Sequence, residues 1–284
     1  IALPIVIALA VLIWLYPSNS DFRSENPGWN GSKDFTQEFE ASPLSSVDTL
    51  PPIVKGTTLV VIPYLELSDA DLEKLAHYVS HGGRLVILDD YGFGNEVLEH
   101  LGLEARFTGS QLLDPLFNYK NKNFPKIIDF APDPATSGVE SIVFNHATSL
   151  ENIPDDQVIA WSSDFSFLDE NQNDNWDEEE LKGSLPVVAR FEMGKGDIIL
   201  IADPSILISS MIKMDDNQQF LENIVQSQVF IDQSHLPEVA LDEAKGTLKI
   251  TRNALATIVG TLGLIVLILA LALRPIWHKT YHKG

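Results

Sequence analysis

The chain is 284 residues long and 45% hydrophobic, which excludes a disordered protein and allows one large domain or two small ones. It carries 40 Asp and Glu against 19 Lys and Arg, and the formal net charge of −21 argues against nucleic acid as a partner. Because there is no cysteine, disulfides, thiolate zinc sites and cysteine nucleophiles are excluded.

Two apolar segments, residues 1–16 and 254–273, contain no charged side chain. About 20 apolar helical residues cross a hydrocarbon layer of roughly 30 Å, so we predict a transmembrane helix over 254–273. The first segment is shorter, and since the sequence starts at Ile1 without a methionine we expect residues upstream of it. A signal peptide is the alternative for 1–16, but no small-residue cleavage site follows, which favours a retained anchor.

The charge distribution predicts an orientation. The residues between the two segments carry all 40 Asp and Glu but only 16 Lys and Arg, a net charge of −24. The basic residues that follow the second segment (Arg274, Lys279 and Lys283) favour a cytoplasmic tail, although basic residues also precede that segment. We therefore predict a two-pass protein of the cell membrane with its large domain outside, and with the lipid bilayer and membrane proteins as partners.

A strand–helix alternation begins at residue 57. Residues 57–63 form an apolar β-branched run typical of a strand covered on both faces. A capping box at 68–71 opens a helix that ends at Gly82, Arg84–Leu88 reads as a second strand, and 93–101 as a second helix. A βαβα unit of this kind predicts a parallel sheet.

The rest of the chain is predicted in less detail. Residues 140–145 and 157–161 have strand patterns, 186–192 and 197–202 flank a hairpin turn, and 215–230 has a helical pattern. The resulting domain prediction divides the chain into a transmembrane helix (1–16), a juxtamembrane segment (17–56), an extracytoplasmic α/β domain (57–237), a linker (238–253), a transmembrane helix (254–273) and a tail (274–284).

Three stretches carry a resemblance to a known family: PSNSDFRSENPGWNG (17–31), LAHYVSHGGRLVILDD (75–90) and GKGDIILIADPSILISSMIKMDDNQQFLENI (194–224). Their order resembles the membrane-anchored family of domain of unknown function 4350, with a class I glutamine amidotransferase-like superfold. The resemblance implies an amidotransferase-like (flavodoxin-like) α/β fold: a parallel sheet with flanking helices and a β-rich insertion, between the two predicted spans. An amidotransferase needs a cysteine nucleophile, whereas Asp89 and Asp90 stand at the comparable turn, so that activity is excluded.

The acidic stretch 169–180 matches the spacing of a twelve-residue calcium loop. Oxygen ligands in such loops come from positions 1, 3, 5, 7, 9 and 12, which are occupied here by Asp169, Asn171, Asn173, Asn175 (through its carbonyl), Asp177 and Glu180. Position 6 holds Asp174 instead of glycine, and Asp is one of the few residues that tolerates a left-handed backbone. We therefore predict a structural calcium ion; the alternative is a solvated acidic loop.

Polar residues follow the predicted strands. Ligands in open parallel sheets bind beyond the carboxyl ends of the strands, where Asp89, Asp90, Asn95 and Asp203 are expected. If they converge, they form an acidic crevice suited to a cation, an amine or a sugar. Each of them could equally serve as a helix cap.

Two classes of function remain open. The first is a membrane-tethered, non-catalytic binding or interaction module, an accessory subunit of a membrane assembly that carries the calcium loop. The second is an exported hydrolase or carbohydrate-binding enzyme that uses the strand-end carboxylates. Raised carboxylate pKa values in a concave pocket favour the enzyme, and a filled crevice disfavours it.

Overall fold

The computed structural model describes residues 2–257, 261–263 and 266. The described residues form two compact units, one built by residues 18–237 and the other by the described parts of the two chain ends, 2–17 and 238–257. The helices are α1 (Ala2–Leu15), α2 (Lys33–Glu38), α3 (Asp69–Ser80), α4 (Gly94–His100), α5 (Asn217–Ile224) and α6 (Ala240–Leu255).

The strands all belong to the unit 18–237. They are β1 (Ser42–Leu44), β2 (Thr57–Val61), β3 (Arg84–Leu88), β4 (Arg106–Phe107), β5 (Gln111–Leu113), β6 (Lys126–Ile127), β7 (Asp129–Phe130), β8 (Ile142–Val143), β9 (Leu150–Glu151), β10 (Val158–Trp161), β11 (Phe167–Asp169), β12 (Pro186–Met193), β13 (Gly196–Ile201) and β14 (Gln228–Asp232). Short 3-10 turns lie at Val47–Thr49, Pro134–Thr136, Asp155–Gln157 and Pro204–Leu207.

Eight strands form one mixed sheet in the order β1-β14-β2-β3-β13-β12-β10-β7. The first five strands in this order run parallel, and the last three alternate in direction. Three two-stranded ribbons, β11-β5, β4-β9 and β6-β8, accompany the sheet. The βαβ prediction is confirmed at β2-α3-β3, and the hairpin prediction at β12-β13.

The middle of the sheet is covered on both faces, as the apolar β-branched runs indicate. Every residue of β2 is buried, as are four of the five residues of β3 and the last four of β13. Helix α3 covers one face with Leu72, Leu75, Tyr78 and Val79. Ser68 caps its N-terminus by accepting from the Asp71 N–H, while the Asp71 carboxylate accepts from the Ser68 hydroxyl instead of completing the predicted capping box. The core therefore positions the carboxyl ends of β2, β3 and β13 at one edge.

The helix predicted over 215–230 is only partly correct. Helix α5 ends at Ile224, and Gln228–Asp232 is instead strand β14, in the parallel part of the sheet. Val229, Phe230 and Ile231 are buried there between β1 and β2. β-branched and aromatic side chains fit such a strand, and this tertiary pairing overrides the helical pattern.

The predicted transmembrane helices are not supported. Nowhere in the described ranges is a helix both long and apolar enough to cross a membrane. The prediction of a two-pass cell-membrane protein with an extracytoplasmic domain is therefore wrong for the described chain. Most of the predicted span 254–273, and the tail 274–284, lie outside the described residues.

Helix α5 holds the β6-β8 ribbon through its first residue. The Asn217 side chain accepts from the Val143 N–H (2.8 Å) and donates to the Val143 carbonyl (2.9 Å) and the Met211 carbonyl (2.9 Å). Just before it, the Asp216 carboxylate accepts from the Glu140 and Ser141 N–H groups. Asn217 is fully buried, so these bonds have no competition from water.

Replacement of Asn217 should show how much its three hydrogen bonds, which clamp the β6-β8 ribbon to α5, contribute to stability. We expect Asn217→Ala to lower the free energy of unfolding by roughly 3 kcal/mol, because it leaves buried backbone groups unpaired. Gln219 lies on the same helix but is exposed, and Gln219→Ala should change stability by less than about 0.5 kcal/mol. Urea denaturation followed by circular dichroism measures both values; equal losses would contradict the clamp.

Candidate functional site

The predicted strand-end carboxylates lie where two parallel neighbours, β3 and β13, end. Asp89 and Asp90 follow β3, and Asp203 follows β13 by two residues. Their exposed fractions are 2%, 6% and 0%, so all three are inside the protein and not in an open crevice. The structure thus brings these three predicted residues together.

Asp89 serves as a cap for the turn into α4. Its Oδ1 accepts from the Asp90 N–H (2.9 Å) and the Gly92 N–H (2.8 Å), and its Oδ2 accepts from the Gly94 N–H (2.7 Å). The turn is so tight that a Cβ at Gly94 would lie 2.5 Å from Asp89 Oδ2. Burial raises the pKa of Asp89 to about 6, although the three N–H groups favour the ionised form.

Asp90 and Asp203 also accept hydrogen bonds from the turns around them. Asp203 accepts from the Ser205 N–H (2.7 Å), and its other oxygen accepts from the Asn145 N–H (2.7 Å), which ties the chain before β9 to the sheet edge. Asp90 accepts from the Tyr64 hydroxyl (2.7 Å) and the Tyr91 N–H (2.7 Å). Burial raises both pKa values, and the Asp90 charge raises the pKa of Asp203 further.

The sequence did not identify two tyrosines at this edge. Tyr64 follows β2, and Tyr91 donates from its hydroxyl to the His146 carbonyl (2.9 Å). The signal that could have found them is position, because both residues lie just beyond strands that end at the same edge. Asn95 was also predicted at this edge, but its side chain binds the backbone of Phe107 in β4. It donates to the Phe107 carbonyl (2.9 Å) and accepts from the Phe107 N–H (2.8 Å).

The acidic loop 169–180 is closed by its first and last residues. Asp169 is 3% exposed and accepts from the Asn173 N–H (3.0 Å) and the Asp174 N–H (2.9 Å). Glu180 is 7% exposed, and its two oxygens accept from the Glu170 N–H (3.0 Å) and the Asp177 N–H (3.1 Å). Positions 1 and 12 of the predicted calcium loop therefore both point inward.

The remaining predicted ligands surround this pair. The Asp177 carboxylate accepts from the side-chain amides of Asn171 (2.6 Å) and Asn173 (2.7 Å), and Asn173 Oδ1 accepts from the Asn175 N–H (2.7 Å). Asp174, which replaces the expected glycine, has a φ of +66°. The left-handed turn required at position 6 is thus formed without glycine.

The loop differs from a cluster of converging carboxylates. Among the residues that the structure describes, no three His, Asp or Glu side chains are arranged to hold one metal ion. In the loop, the carboxylate oxygens face N–H groups of the loop itself, and three of the six predicted ligands are asparagines.

These features define an α/β domain with a mixed sheet, capped strand ends and an ordered acidic loop. Residues 24–225 match the family described as Domain of unknown function (DUF4350), and the chain belongs to that family. The family resemblance is therefore confirmed, whereas its membrane anchoring and the narrower assignment to a glutamine amidotransferase-like fold are not supported. The predicted parallel sheet is in fact a mixed one, in which five parallel strands are followed by three that alternate in direction.

Two solved structures are similar to the chain at low identity, and a shared fold is indicated by the first of them. The "mmIFT52 N-terminal domain" is 11% identical, with a TM-score of 0.54, and the match covers 72% of this chain and 91% of that one. A "Cytoplasmic Protein" from Salmonella typhimurium LT2 is 14% identical, with a TM-score of 0.38 and coverage of 64% and 76%. No curated protein matches the chain.

The buried carboxylates predict an unusual pH dependence of stability. In the folded protein Asp89 keeps its proton up to about pH 6, whereas the unfolded chain releases it near 3.8. Between these values the folded state binds more protons, so the free energy of unfolding should fall as pH rises, by up to about 3 kcal/mol from this group. Asp90 and Asp203 act in the same direction.

One variant tests whether Asp89 causes this decrease in the free energy of unfolding, and Asp232 provides a contrasting carboxylate. Asp89→Asn cannot titrate and should flatten the decrease measured by urea denaturation between pH 4 and 6.5. Asp232 has a lowered pKa, because His235 and Ser234 stabilise its charged form more than burial opposes it. The stability from Asp232 is lost only as pH falls below 3.8, in a separate window. An unchanged slope in Asp89→Asn would contradict the assignment.

Proposed function

We propose that this chain is a non-catalytic binding module whose loop 169–180 is stabilised by a calcium ion. The observation that carries the proposal is the closure of the loop, with Asp169 and Glu180 buried at its two ends and a left-handed Asp174 at the required position. Asp and Glu are rarely buried, so these two ends differ from an acidic loop in which every carboxylate is solvated.

The arrangement leaves coordination capacity for a hard cation. A carboxylate oxygen has about two acceptor sites, so an oxygen that accepts one N–H retains another. Asp169 and Glu180 can therefore keep their bonds to the loop backbone while their other lone pairs bind calcium. Asn171, Asn173 and Asp177 are already held beside one another by side-chain hydrogen bonds, which reduces the entropy lost when an ion binds.

Charge also favours a cation at this position. The twelve residues contain seven Asp and Glu and no Lys or Arg. Lys122 is the cation that contacts Asp174, at 3.3 Å, and Lys182 lies over the Trp176 ring. A divalent ion would offset repulsion among the remaining carboxylates, and calcium accepts six to eight oxygen ligands.

The strand-end carboxylates support a structural role more than catalysis. Their raised pKa values favour the alternative of a hydrolase or carbohydrate-binding enzyme. However, Asp89, Asp90 and Asp203 are almost inaccessible, and all three accept backbone hydrogen bonds that hold turns together. A reacting group must reach its substrate, so we favour the binding module.

Calcium should stabilise the full chain against heat. With free calcium at 100 times its dissociation constant, the expected gain is about 2.7 kcal/mol, which for a protein of this size raises the melting temperature by about 5–10 °C. Scanning calorimetry with calcium and with a chelator measures the shift. An unchanged melting temperature would refute the proposal.

A matched pair of variants separates coordination from charge. Glu180→Gln removes a predicted ligand, and Glu179→Gln removes the same charge from an exposed neighbour outside the ligand set. The calcium-dependent shift should be lost in Glu180→Gln and retained in Glu179→Gln. Equal shifts in both variants would indicate charge screening without a site.

A further inference from the structure

We propose that His77 and His81 form a two-imidazole binding site for a transition-metal ion such as Zn²⁺, Ni²⁺ or Cu²⁺. The two residues lie four positions apart at the C-terminal end of α3, and both are exposed. This site is distinct from the acidic loop, and the proposal does not depend on calcium binding there.

The two rings are already side by side. Their centroids are 3.8 Å apart and their planes differ by 20°. Two nitrogens bound to one tetrahedral zinc ion at 2.0–2.1 Å lie about 3.3 Å from each other. A metal ion must lie in the plane of each ring, on the lone pair of its nitrogen. Stacked rings direct these lone pairs side by side, so both exposed rings must turn about their Cβ–Cγ bonds until their planes converge on the ion.

A backbone hydrogen bond sets the tautomer of His81. Its Nδ1 lies 2.8 Å from the His77 carbonyl oxygen. Because a carbonyl only accepts, Nδ1 carries the proton and donates it, and the lone pair is left on Nε2. Histidines that bind metals are commonly oriented in this way, with the second ring nitrogen donating to a carbonyl.

The ring of His77 is free to contribute the second nitrogen. Within the described part of the chain, its ring nitrogens make no hydrogen bond or ion pair; its ring contact is the stack with His81. An exposed imidazole without a partner loses little when a metal replaces water at its nitrogen. The pair therefore meets the electronic requirement for a chelate, and the spacing of four residues on a helix brings the two side chains within reach of one ion.

The surrounding residues indicate what the site can do. Two histidines at i and i+4 are the spacing by which a helix binds zinc in metalloproteases, but those proteins need a glutamate between them. Here the intervening residues are Tyr78, Val79 and Ser80. The site would thus hold a metal without hydrolytic chemistry, and its other coordination positions remain open to water or to a side chain of a partner.

Ligand chemistry distinguishes this site from the acidic loop. Imidazole suits zinc, copper and nickel, whereas calcium takes oxygen ligands. Nickel in the presence of excess calcium therefore probes the histidine pair selectively. His278 and His282 are also four residues apart but lie outside the described residues, so every protein compared carries His278→Ala and His282→Ala.

The test is isothermal titration of NiCl2 into this background, with and without His77→Ala or His81→Ala. We expect one nickel ion per chain, and each single variant should weaken binding at least about tenfold because the chelate is lost. Binding should also weaken as the solution is acidified, since protons compete for the imidazole nitrogens.

His100→Ala is the matched control. His100 lies on neighbouring α4, where its Nε2 is 3.7 Å from the Glu73 carboxylate, and it is not part of the stacked pair. Nickel affinity should be unchanged in this variant. Unchanged affinity in His77→Ala and His81→Ala, or an equal loss in His100→Ala, would overturn the proposal.

Discussion

Buried carboxylates at the carboxyl edge of the sheet are the interaction on which the rest of the unit 18–237 depends. Parallel strands end with backbone N–H groups that must be satisfied in the turns that follow. Asp89 and Asp203 satisfy them after β3 and β13, and Asp203 also binds the backbone at Asn145. The edge that could have been a ligand crevice is thus used to join the sheet to the segments around it.

Much of this architecture is readable from local patterns. The apolar runs at β2 and β3, the capping box before α3 and the hairpin turn between β12 and β13 each follow from a few neighbouring residues. Strand β14 was missed because its identity depends on pairing with β1 and β2, which are distant in sequence. The short ribbons in 104–185 were largely missed for the same reason.

The site residues likewise separate into features that depend on neighbouring residues and features that depend on distant ones. Sequence order predicted Asp89, Asp90 and Asp203 at one edge, since parallel neighbours end together. It could not show that they are buried, because burial depends on residues that come from other parts of the chain, such as Tyr64 after β2 and Asn145 after β8. The closure of the acidic loop depends less on distant residues, because its hydrogen bonds are formed within twelve consecutive residues.

The two margins of the large sheet limit how another molecule can approach it. At one margin β1 has only three residues, including Pro43, which has no N–H to donate. At the other, β7 has two residues. Short outer strands and proline discourage the addition of a foreign strand, which protects against aggregation. These margins therefore favour partners that recognise side chains or loops of this protein over partners that extend its sheet.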